Sequence, residues 1–489
     1  MSIKRNSILF LLLLFLVVTV NGQQKKEGKT SLPKAKYVFL FIGDGMGLAH
    51  TSLAEAYLAS KEGSVGMHKL VMSDFPVQSY QRTTALNRFI TCSAAGGTAL
   101  ATGSKTSINT IGMNGDRTKK LFSIATRAHN KGYKVGIMTS VSIDHATPAS
   151  FYAHQPDRNM YYEIANELVN SHFDYFGGGG LINPTGKKGN KPDLYDAAVK
   201  KGFKLVRDRD SFGKLQKSDI PVFVVNPVIN EENASMPYVI DHSNASFTLA
   251  QITKKAIDLL QGPDGFFMMI EGGKIDWAAH SNDAATVVRE VLALDSAVME
   301  AVSFYQKHPN ETLIVITADH ETGGLALGWA GMKYESNLTL LDQQKGSFDE
   351  LDLHIKQYKK RALGNFNYDS VALILKKDYG FGESITLNSW EQEQLRRAFL
   401  ASMTGKGFSQ FEEENFILYG GLDPVGATAR RILNQKAGIG WTTWSHTGIP
   451  VPVRVMGASA DIYKDYIENT DIPTFIARSM WLSLENIEK

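Results

Sequence analysis

The sequence predicts an α/β protein whose large, mostly parallel central sheet is flanked by helices on both faces. Two observations support this fold class. Short runs that are apolar on both faces recur along the chain, as in YVFLFIGDGMG, GFFMMIEGG and TLIVITADHETGG, and such runs are typical of strands buried between helical layers. Helical patterns lie between these runs, at 47–60 and 284–306. Strands that alternate with helices favour a parallel sheet.

The bulk composition describes a folded globular protein. Hydrophobic residues make up 43% of the 489 residues and charged residues 21%, which excludes a disordered chain. The 52 basic residues nearly balance the 50 acidic ones. They form no basic arm or stripe along the sequence, so we predict no nucleic-acid-binding module. Only one cysteine is present, so no disulfide can form within the chain.

Residues 1–22 are typical of a secretory signal peptide. Lys4 and Arg5 precede an apolar run over 8–20, and small and polar residues follow it, which predicts cleavage near Gly22. The alternative is an uncleaved membrane anchor, but about 13 apolar residues are short for a spanning helix. No later apolar run reaches the length of a spanning helix. We therefore expect a secreted or periplasmic protein with no membrane span after cleavage.

The remaining chain divides into three segments. Residues 23–330 carry the alternation of strands and helices and form the expected catalytic core. Residues 331–440 are richer in charge and in helical pattern, for example at 391–404, and predict a helix-rich insertion. The chain then returns to the core over 441–489. Two roles remain open for the insertion: it caps the site, or it forms a subunit contact.

Polar side chains follow four of the predicted strands. Asp44 follows YVFLFIG, Thr147 comes shortly after VGIMTS, and Glu271 follows FFMMI. Asp319 and His320 follow IVITA. For any one of these residues alone, a role in a turn or a helix cap is the better explanation. However, ligands bind outside the carboxyl ends of parallel strands because loops converge there, so the four strand ends together favour a metal cluster.

The loop EGGKIDWAAH adds a further pair of candidate ligands. If IDWAAH begins a helix, the i, i+4 spacing of Asp276 and His280 puts both side chains on one face. A carboxylate with an imidazole suits zinc, whereas the all-oxygen set of Asp44, Thr147 and Glu271 suits magnesium. The residue types therefore predict a mixed metal cluster.

A candidate nucleophile lies in FITCSAAGGTALATGSK. Ser93 stands before a run of small residues that can form a helix packed closely on a sheet. It is either a helix N-cap or an exposed hydroxyl at a helix N-terminus, where anions are favoured. Metal coordination activates such a hydroxyl without a histidine partner. Arg158 is either a surface arginine or a fork-shaped cation that binds two phosphoryl oxygens.

Six motifs occur in the order seen in alkaline phosphatases, and together they resemble that family over roughly 37–450. They are GDGMG, TCSAAGGTALATG, DHATPASFYAHQPDR, EGGKIDWAAH, TADHETGG and WSHTG. The resemblance implies an alkaline-phosphatase-like fold, two Zn²⁺ ions, one Mg²⁺ ion and a homodimer.

The resemblance also implies a role for each site residue. Ser93 is the implied nucleophile that forms a phosphoserine, and Arg158 is the implied clamp on the phosphoryl group. The implied ligands of one zinc are Asp276, His280 and His446. Those of the second zinc are Asp44, Ser93, Asp319 and His320. Those of the magnesium are Asp44, Thr147 and Glu271.

The sequence departs from the pattern of some relatives at three positions. Cys92 precedes the nucleophile where Asp is frequent, which removes a carboxylate that could orient Arg158. His145 stands near the magnesium ligands where some members have Asp, so the identity of the third metal stays open. Trp277 stands where some members have a basic residue or His beside the phosphate. A local positive charge is then absent.

We expect an alkaline phosphatase that hydrolyses small phosphate monoesters through a phosphoserine intermediate at a site with two zinc ions and one magnesium ion. A sulfatase or phosphodiesterase of the same superfamily fits less well, since SAAG follows Cys92 without the Pro and Arg of a formylglycine context. A non-catalytic phosphate- or metal-binding protein is the other alternative, although every residue for the chemistry is present. The natural substrate leaves no signature in the sequence.

Overall fold

The described strands form one ten-stranded central sheet and two short two-stranded sheets. The computed structural model describes residues 33–241, 243–405 and 412–483, so the predicted signal peptide lies outside the described residues. In chain order the strands are β1 (Tyr37–Ile42), β2 (Val77–Arg82), β3 (Lys134–Thr139), β4 (Tyr175–Gly178), β5 (Lys204–Val206), β6 (Val222–Val225), β7 (Phe266–Glu271), β8 (Thr312–Thr317), β9 (Glu321–Thr322), β10 (Ala326–Leu327), β11 (Ile439–Gly440), β12 (His446–Thr447), β13 (Val451–Gly457) and β14 (Ile467–Glu468).

The helices connect these strands and fill the segment before β11. In chain order they are α1 (Leu48–Lys61), α2 (Ser93–Thr102), α3 (Ile124–Asn130), α4 (Ala146–Ala149), α5 (Tyr161–Val169), α6 (Leu194–Lys200), α7 (Arg209–Gly213), α8 (Leu249–Leu260), α9 (Lys274–His280), α10 (Ala284–Tyr305), α11 (Phe348–Ala362), α12 (Tyr368–Tyr379), α13 (Ser389–Thr404), α14 (Glu412–Tyr419), α15 (Pro424–Ala437) and α16 (Asp471–Met480).

The central sheet has the strand order β14-β2-β13-β8-β1-β7-β3-β4-β6-β5. Strand β13 runs antiparallel to β2 and β8, and the other pairings in this sheet are parallel. The predicted fold class, a mostly parallel sheet with a helix-rich insertion, is therefore confirmed.

Helices pack against both faces of the sheet. Phe39 and Phe41 of β1 belong to the hydrophobic cluster that contains buried residues of α1, α8 and α10. Val38, Leu40 and Ile42 belong to the cluster that contains residues of α2, α3, α5 and α16. Because successive strand residues point to opposite faces, a strand buried on both sides needs apolar residues at every position. The run YVFLFI meets this requirement.

The central parallel strands end in register at one edge of the sheet. Ile42 of β1 pairs with Glu271 of β7 and with Thr317 of β8. Glu271 also pairs with Thr139 of β3. The loops that follow these four strands therefore begin at the same level, which brings polar residues from distant parts of the sequence together.

The sequence predicts the positions of three helices more accurately than it predicts the antiparallel side of the sheet. The patterns at 47–60 and 284–306 correspond to α1 and α10, and the pattern at 391–404 corresponds to α13. Strand β2, VQSYQR, buries only alternate residues, so it lacks the doubly apolar signal. Helices α11 to α15 occupy most of 331–440, and α11, α12, α13 and α15 share a hydrophobic cluster with β1 and β8. The division into segments stays a prediction.

No helix in the described part of the chain combines the length and the apolar character that crossing a bilayer requires.

Candidate metal centre

Three groups of carboxylate and imidazole side chains meet where the central strands end. We call these groups the first, second and third sets. Within each set the potential ligand atoms lie within 4.8 Å of one another. The first set is Asp276, His280 and His446; the second is Asp44, Asp319 and His320; the third is Asp44, His145 and Glu271. Asp44 belongs to both the second and the third sets, so these two sets are adjacent.

The second set lies in the loops after β1 and β8. Nε2 of His320 is 3.3 Å from Oδ1 of Asp44 and 3.3 Å from Oδ2 of Asp319. Oδ1 of Asp319 accepts hydrogen bonds from the backbone N–H groups of Gly45 and His320, which fixes this carboxylate between two loops. Oγ of Ser93 lies 3.3 Å from Nε2 of His320. The predicted nucleophile thus lies directly beside the second set.

Helix α2 approaches these loops closely because its first turn consists of small residues. Ser93 is the first residue of α2, and Cys92 is the N-cap. A Cβ atom at Gly96 would lie 2.9 Å from the carbonyl oxygen of Asp319, which is closer than real Cβ atoms approach. Glycine at this position therefore allows the N-terminus of α2 to carry Ser93 into the site.

Backbone carbonyl groups orient both imidazoles of the first set. Nδ1 of His280 is 2.6 Å from the carbonyl oxygen of Trp444, and Nδ1 of His446 is 2.8 Å from that of Thr91. Because a carbonyl only accepts, each ring carries a proton at Nδ1 and, when neutral, a lone pair at Nε2. The two Nε2 atoms lie 3.4 Å and 3.6 Å from Oδ1 of Asp276 and 3.0 Å from each other. Lone pairs that converge in this way fit one shared cation.

The third set is fully buried. Asp44 and Glu271 are both 0% exposed. Oδ1 of Asp44 and Oε1 of Glu271 have no hydrogen-bond partner among the described residues, and unpartnered buried oxygens are costly. Thr147 donates to Oδ2 of Asp44 at 3.3 Å, and Thr139 donates to Oε2 of Glu271. The free oxygens with the Thr147 hydroxyl form an all-oxygen environment that fits a hard divalent cation.

His145 contacts both the third set and the predicted phosphoryl clamp. Nη2 of Arg158 is 2.9 Å from Nε2 of His145. Because a guanidinium only donates, Nε2 accepts and the proton of the neutral ring lies on Nδ1. Burial and the Arg158 charge lower the pKa of His145 to about 3, so the ring is neutral. Its Nδ1 lies 4.0 Å from Oε1 of Glu271, and His145 therefore points a donor at the carboxylates of its own set.

The three sets bring four buried carboxylates together. Burial, and then Asp276, raise the pKa of Asp319 to about 7, and burial raises the pKa of Glu271 to about 8. Burial and the charge of Asp319 raise the pKa of Asp44 well above its ordinary value. The pKa of Asp276 is lowered instead, because the nearby imidazoles, led by His280, outweigh the effect of burial. Bound divalent cations neutralise charge of this kind.

Two other departures from the family pattern lie beside the site. Sγ of Cys92 accepts a hydrogen bond from the backbone N–H of Asn109 at 3.2 Å. The Trp277 ring meets the His145 ring edge-on, with 5.7 Å between their centroids. Nζ of the buried Lys274 lies 5.1 Å from the Trp277 ring. The Lys274 amino group therefore lies over the Trp277 ring, which itself carries no charge.

Sequence reasoning did not single out Thr322, which connects the first and second sets. Its Oγ1 donates to Oδ1 of Asp276 at 2.5 Å and lies 3.2 Å from Nδ1 of His320. The only sequence signal is its place inside TADHETGG. Thr139, which bonds Glu271, was missed for a similar reason, because it is the last residue of the apolar strand β3.

The structure thus brings the nine predicted metal-site residues into one region. Thr147 joins them through Asp44 and through Oδ2 of Asp319, 3.5 Å from its hydroxyl. Arg158 lies at the border and contacts His145. Whether each residue binds a metal stays a prediction.

Comparison with known proteins decides the family. The family model for alkaline phosphatase matches residues 35–482. The chain is also 30% identical over 488 residues to alkaline phosphatase 3 of Bacillus subtilis (strain 168), which covers 97% of this chain and 94% of the relative. The chain belongs to the alkaline phosphatase family. Family membership confirms the enzyme class that the sequence predicted.

Solved structures of alkaline phosphatases share the fold. The cold-active alkaline phosphatase of the psychrophile Shewanella sp. is 27% identical, with a TM-score of 0.74, and the match covers 91% of this chain and 99% of that chain. The Thermus thermophilus alkaline phosphatase is 24% identical, with a TM-score of 0.76 over 94% of this chain and 95% of that chain. Alkaline phosphatases depend on metals, which agrees with the three ligand sets found here.

Proposed function

We propose that this alkaline phosphatase hydrolyses phosphate monoesters through a phosphoserine intermediate on Ser93, at a site that holds two zinc ions and one magnesium ion. The observation that carries this proposal is the position of the Ser93 hydroxyl. It lies 3.3 Å from Nε2 of His320, at the N-terminus of α2 and beside the second set. Ser93 is buried rather than exposed as expected from the sequence, and a cation bound by the second set would activate its hydroxyl.

The protein's own groups account for binding and orientation of the ester. The backbone N–H groups at the start of α2 favour an anion, and the guanidinium of Arg158 can bind two phosphoryl oxygens. Oγ of Ser93 attacks phosphorus, the bond from phosphorus to the ester oxygen breaks, and the alcohol leaves with a proton. Water then attacks the phosphoserine, the bond from phosphorus to Oγ breaks, a proton of the water returns to Oγ, and inorganic phosphate leaves. Bound divalent ions supply charge neutralisation and lower the pKa of the attacking hydroxyl and water.

The donor sets support a zinc assignment for the first two sites and magnesium for the third. Imidazole with carboxylate suits zinc in the first and second sets. For the third, Asp44, Thr147 and Glu271 offer oxygen ligands, while His145 points an N–H toward them. A donor cannot act as a ligand, so this tautomer supports magnesium. If Arg158 turned to a bound phosphoryl group, Nε2 of His145 would lose this donor and the preference for magnesium would weaken.

The proposal also covers the localisation, the oligomeric state and the segments of the enzyme. We take residues 1–22 as a signal peptide and the mature chain as secreted or periplasmic, in keeping with its N-terminal sequence. The homodimer rests on family resemblance. The division into core, insertion over 331–440 and returning segment rests on the change of pattern in the sequence.

A Ser93→Ala variant tests the covalent route. We expect loss of phosphomonoesterase activity and no phosphoryl group on the protein after rapid acid quenching, as measured by intact mass. The matched control is Ser296→Ala, at an exposed position on α10. Full activity of Ser93→Ala would overturn the phosphoserine route.

A second experiment separates the reaction classes. Hydrolysis of a phosphate monoester, a phosphate diester and a sulfate ester is measured under one set of conditions. We expect the monoester to react fastest. A preference for the diester or the sulfate ester would favour the phosphodiesterase or sulfatase alternative.

A further inference from the structure

A cavity of about 310 Å³ lies next to the first set, between the chain segment 439–444 and helices α14 and α15. We call it the tryptophan pocket because Trp329, Trp441 and Trp444 line it. We propose that the tryptophan pocket binds a flat, uncharged aromatic ring in the alcohol half of the substrate, such as the base of a nucleoside 5′-monophosphate. This inference rests on the proposed monoesterase function and specifies its substrate class.

The indole rings of the pocket present ring surface to a ligand. Nε1 of Trp329 donates to the carbonyl oxygen of Gln435 at 2.8 Å, and Nε1 of Trp444 donates to that of Ile417 at 3.1 Å. The polar edges of both indoles are therefore engaged within the protein. What they offer a ligand is apolar surface, on which planar rings stack favourably.

Two polar side chains that line the pocket, those of Arg431 and Asn434, are also engaged, and Nε1 of Trp441 is buried without a hydrogen-bond partner among the described residues. Nη1 and Nη2 of Arg431 donate to the carbonyl oxygen of Leu418 and to Oε1 of Gln394. Nδ2 of Asn434 donates to the carbonyl oxygen of Asn282 at 2.6 Å. Among the described lining residues, none is Asp or Glu. A sugar, which needs many hydrogen bonds, and an organic cation, which needs a carboxylate, therefore gain less here than a neutral ring.

The tryptophan pocket lies on the side of the metal sets where we expect the alcohol half of the substrate. The carbonyl oxygen of Trp444, a lining residue, lies 2.6 Å from Nδ1 of His280. Ser93 lies against His320 in the second set. In an in-line displacement the leaving oxygen lies opposite the nucleophile, which places it toward the first set. The alcohol then extends past His280 in the direction of the tryptophan pocket.

Two probes isolate the effect of the ring. Adenosine 5′-monophosphate and ribose 5-phosphate both release a primary alcohol from the same sugar carbon, and only the first carries an aromatic ring. We expect kcat/KM of the intact enzyme to be roughly tenfold higher for adenosine 5′-monophosphate, because stacking of one base contributes an effect of that order. In Trp329→Ala, the ratio of the two kcat/KM values should fall to near one.

Two further variants make the test decisive. Ala330→Trp, at an exposed lining position, narrows the pocket without removing any side chain from the core and should also lower the ratio if Trp329→Ala fails to fold. The matched control, Trp390→Ala, removes a tryptophan that is 60% exposed on α13 and should leave the ratio unchanged.

The outcomes separate the two proposals. If neither ester is hydrolysed, the proposed monoesterase function fails. If both esters are hydrolysed with equal kcat/KM, or if neither pocket variant changes the ratio, only the proposal that the tryptophan pocket binds an aromatic ring is overturned.

Discussion

The first and third sets lie at the same edge of the sheet, but the protein holds them in different ways. The side chains of His280 and His446 are 36% and 14% exposed, and backbone carbonyl groups fix both rings. Asp44 and Glu271 of the third set are fully buried, and each has an oxygen without a hydrogen-bond partner in the described part of the chain. The first set is therefore oriented by the protein itself, whereas a bound cation would stabilise the carboxylates of the third set.

The first and third sets also differ in the direction in which the pKa values of their carboxyls are shifted. In the first set, imidazoles lower the pKa of the one carboxylate, Asp276, despite its burial. In the third set, burial raises the pKa of Glu271 to about 8 and that of Asp44 well above its ordinary value. Removing metal should therefore destabilise the third set more than the first. The same holds for the second set, which shares Asp44 with the third.

The largest expected effect is at the residue that two sets share. Asp44→Asn removes a ligand from the second and third sets, so we expect phosphatase activity to fall roughly a thousandfold or more. Metal content after dialysis, measured by mass spectrometry, should drop by more than one ion per chain. Asp461→Asn, at an exposed ion pair with Lys464, is the matched control. Loss of a single ion in Asp44→Asn would show that the second and third sets bind metal independently of each other.

Metal removal tests the dependence of the buried carboxylates on cations. The pKa values of Glu271 and Asp319 are raised to about 8 and about 7 from ordinary values of 4.5 and 3.8. Between these limits the two carboxyls bind more protons in the folded metal-free protein than in the unfolded chain, so their contribution to stability falls as pH rises. Buried histidines such as His145 and His320 have lowered pKa values and act in the opposite direction below about pH 6.5. Thermal denaturation after chelation should therefore give a Tm that decreases from about pH 6.5 to about pH 8.

The metal-loaded enzyme is the control for that experiment, since its carboxylates are neutralised by cations. A metal-free Tm that stays constant or rises over this pH range would contradict the assigned pKa shifts.

A smaller effect is expected where the first and second sets are linked. Thr322→Val removes the hydroxyl that bonds Asp276 and contacts His320. Loss of such a supporting hydrogen bond typically weakens metal affinity roughly 10- to 100-fold. Competition with a zinc chelator measures this change. Thr322→Ser, which keeps the hydroxyl, should restore most of the affinity, and equal loss in both variants would assign the effect to packing.

The smallest effect is expected at the border of the third set. His145→Ala removes the acceptor for Nη2 of Arg158, so the guanidinium is less well oriented. We expect the inhibition constant of inorganic phosphate to rise roughly two- to tenfold, the effect of about one hydrogen bond. His68→Ala, at an exposed position, is the control. Unchanged phosphate inhibition in His145→Ala would show that Arg158 is held by other contacts.

The site residues differ in how they could be predicted. Asp44, Glu271 and Asp319 each follow or end an apolar strand, and the register of a parallel sheet brings such positions to one edge. His446 was found only through family resemblance. It lies on β12, where it pairs with Thr322 of β9. No local sequence pattern predicts a pairing between segments so far apart in the chain.

The sequence by itself determined the α/β class, the strand ends that carry the candidate ligands and the chemical types of those ligands. These features depend on local periodicity and on residue identity. Tertiary structure alone decided which carbonyl groups orient His280 and His446, which nitrogen of His145 faces Arg158, and how three tryptophans enclose a pocket. Those features depend on distances between segments far apart in the chain, which packing of the whole protein sets and local pattern does not encode.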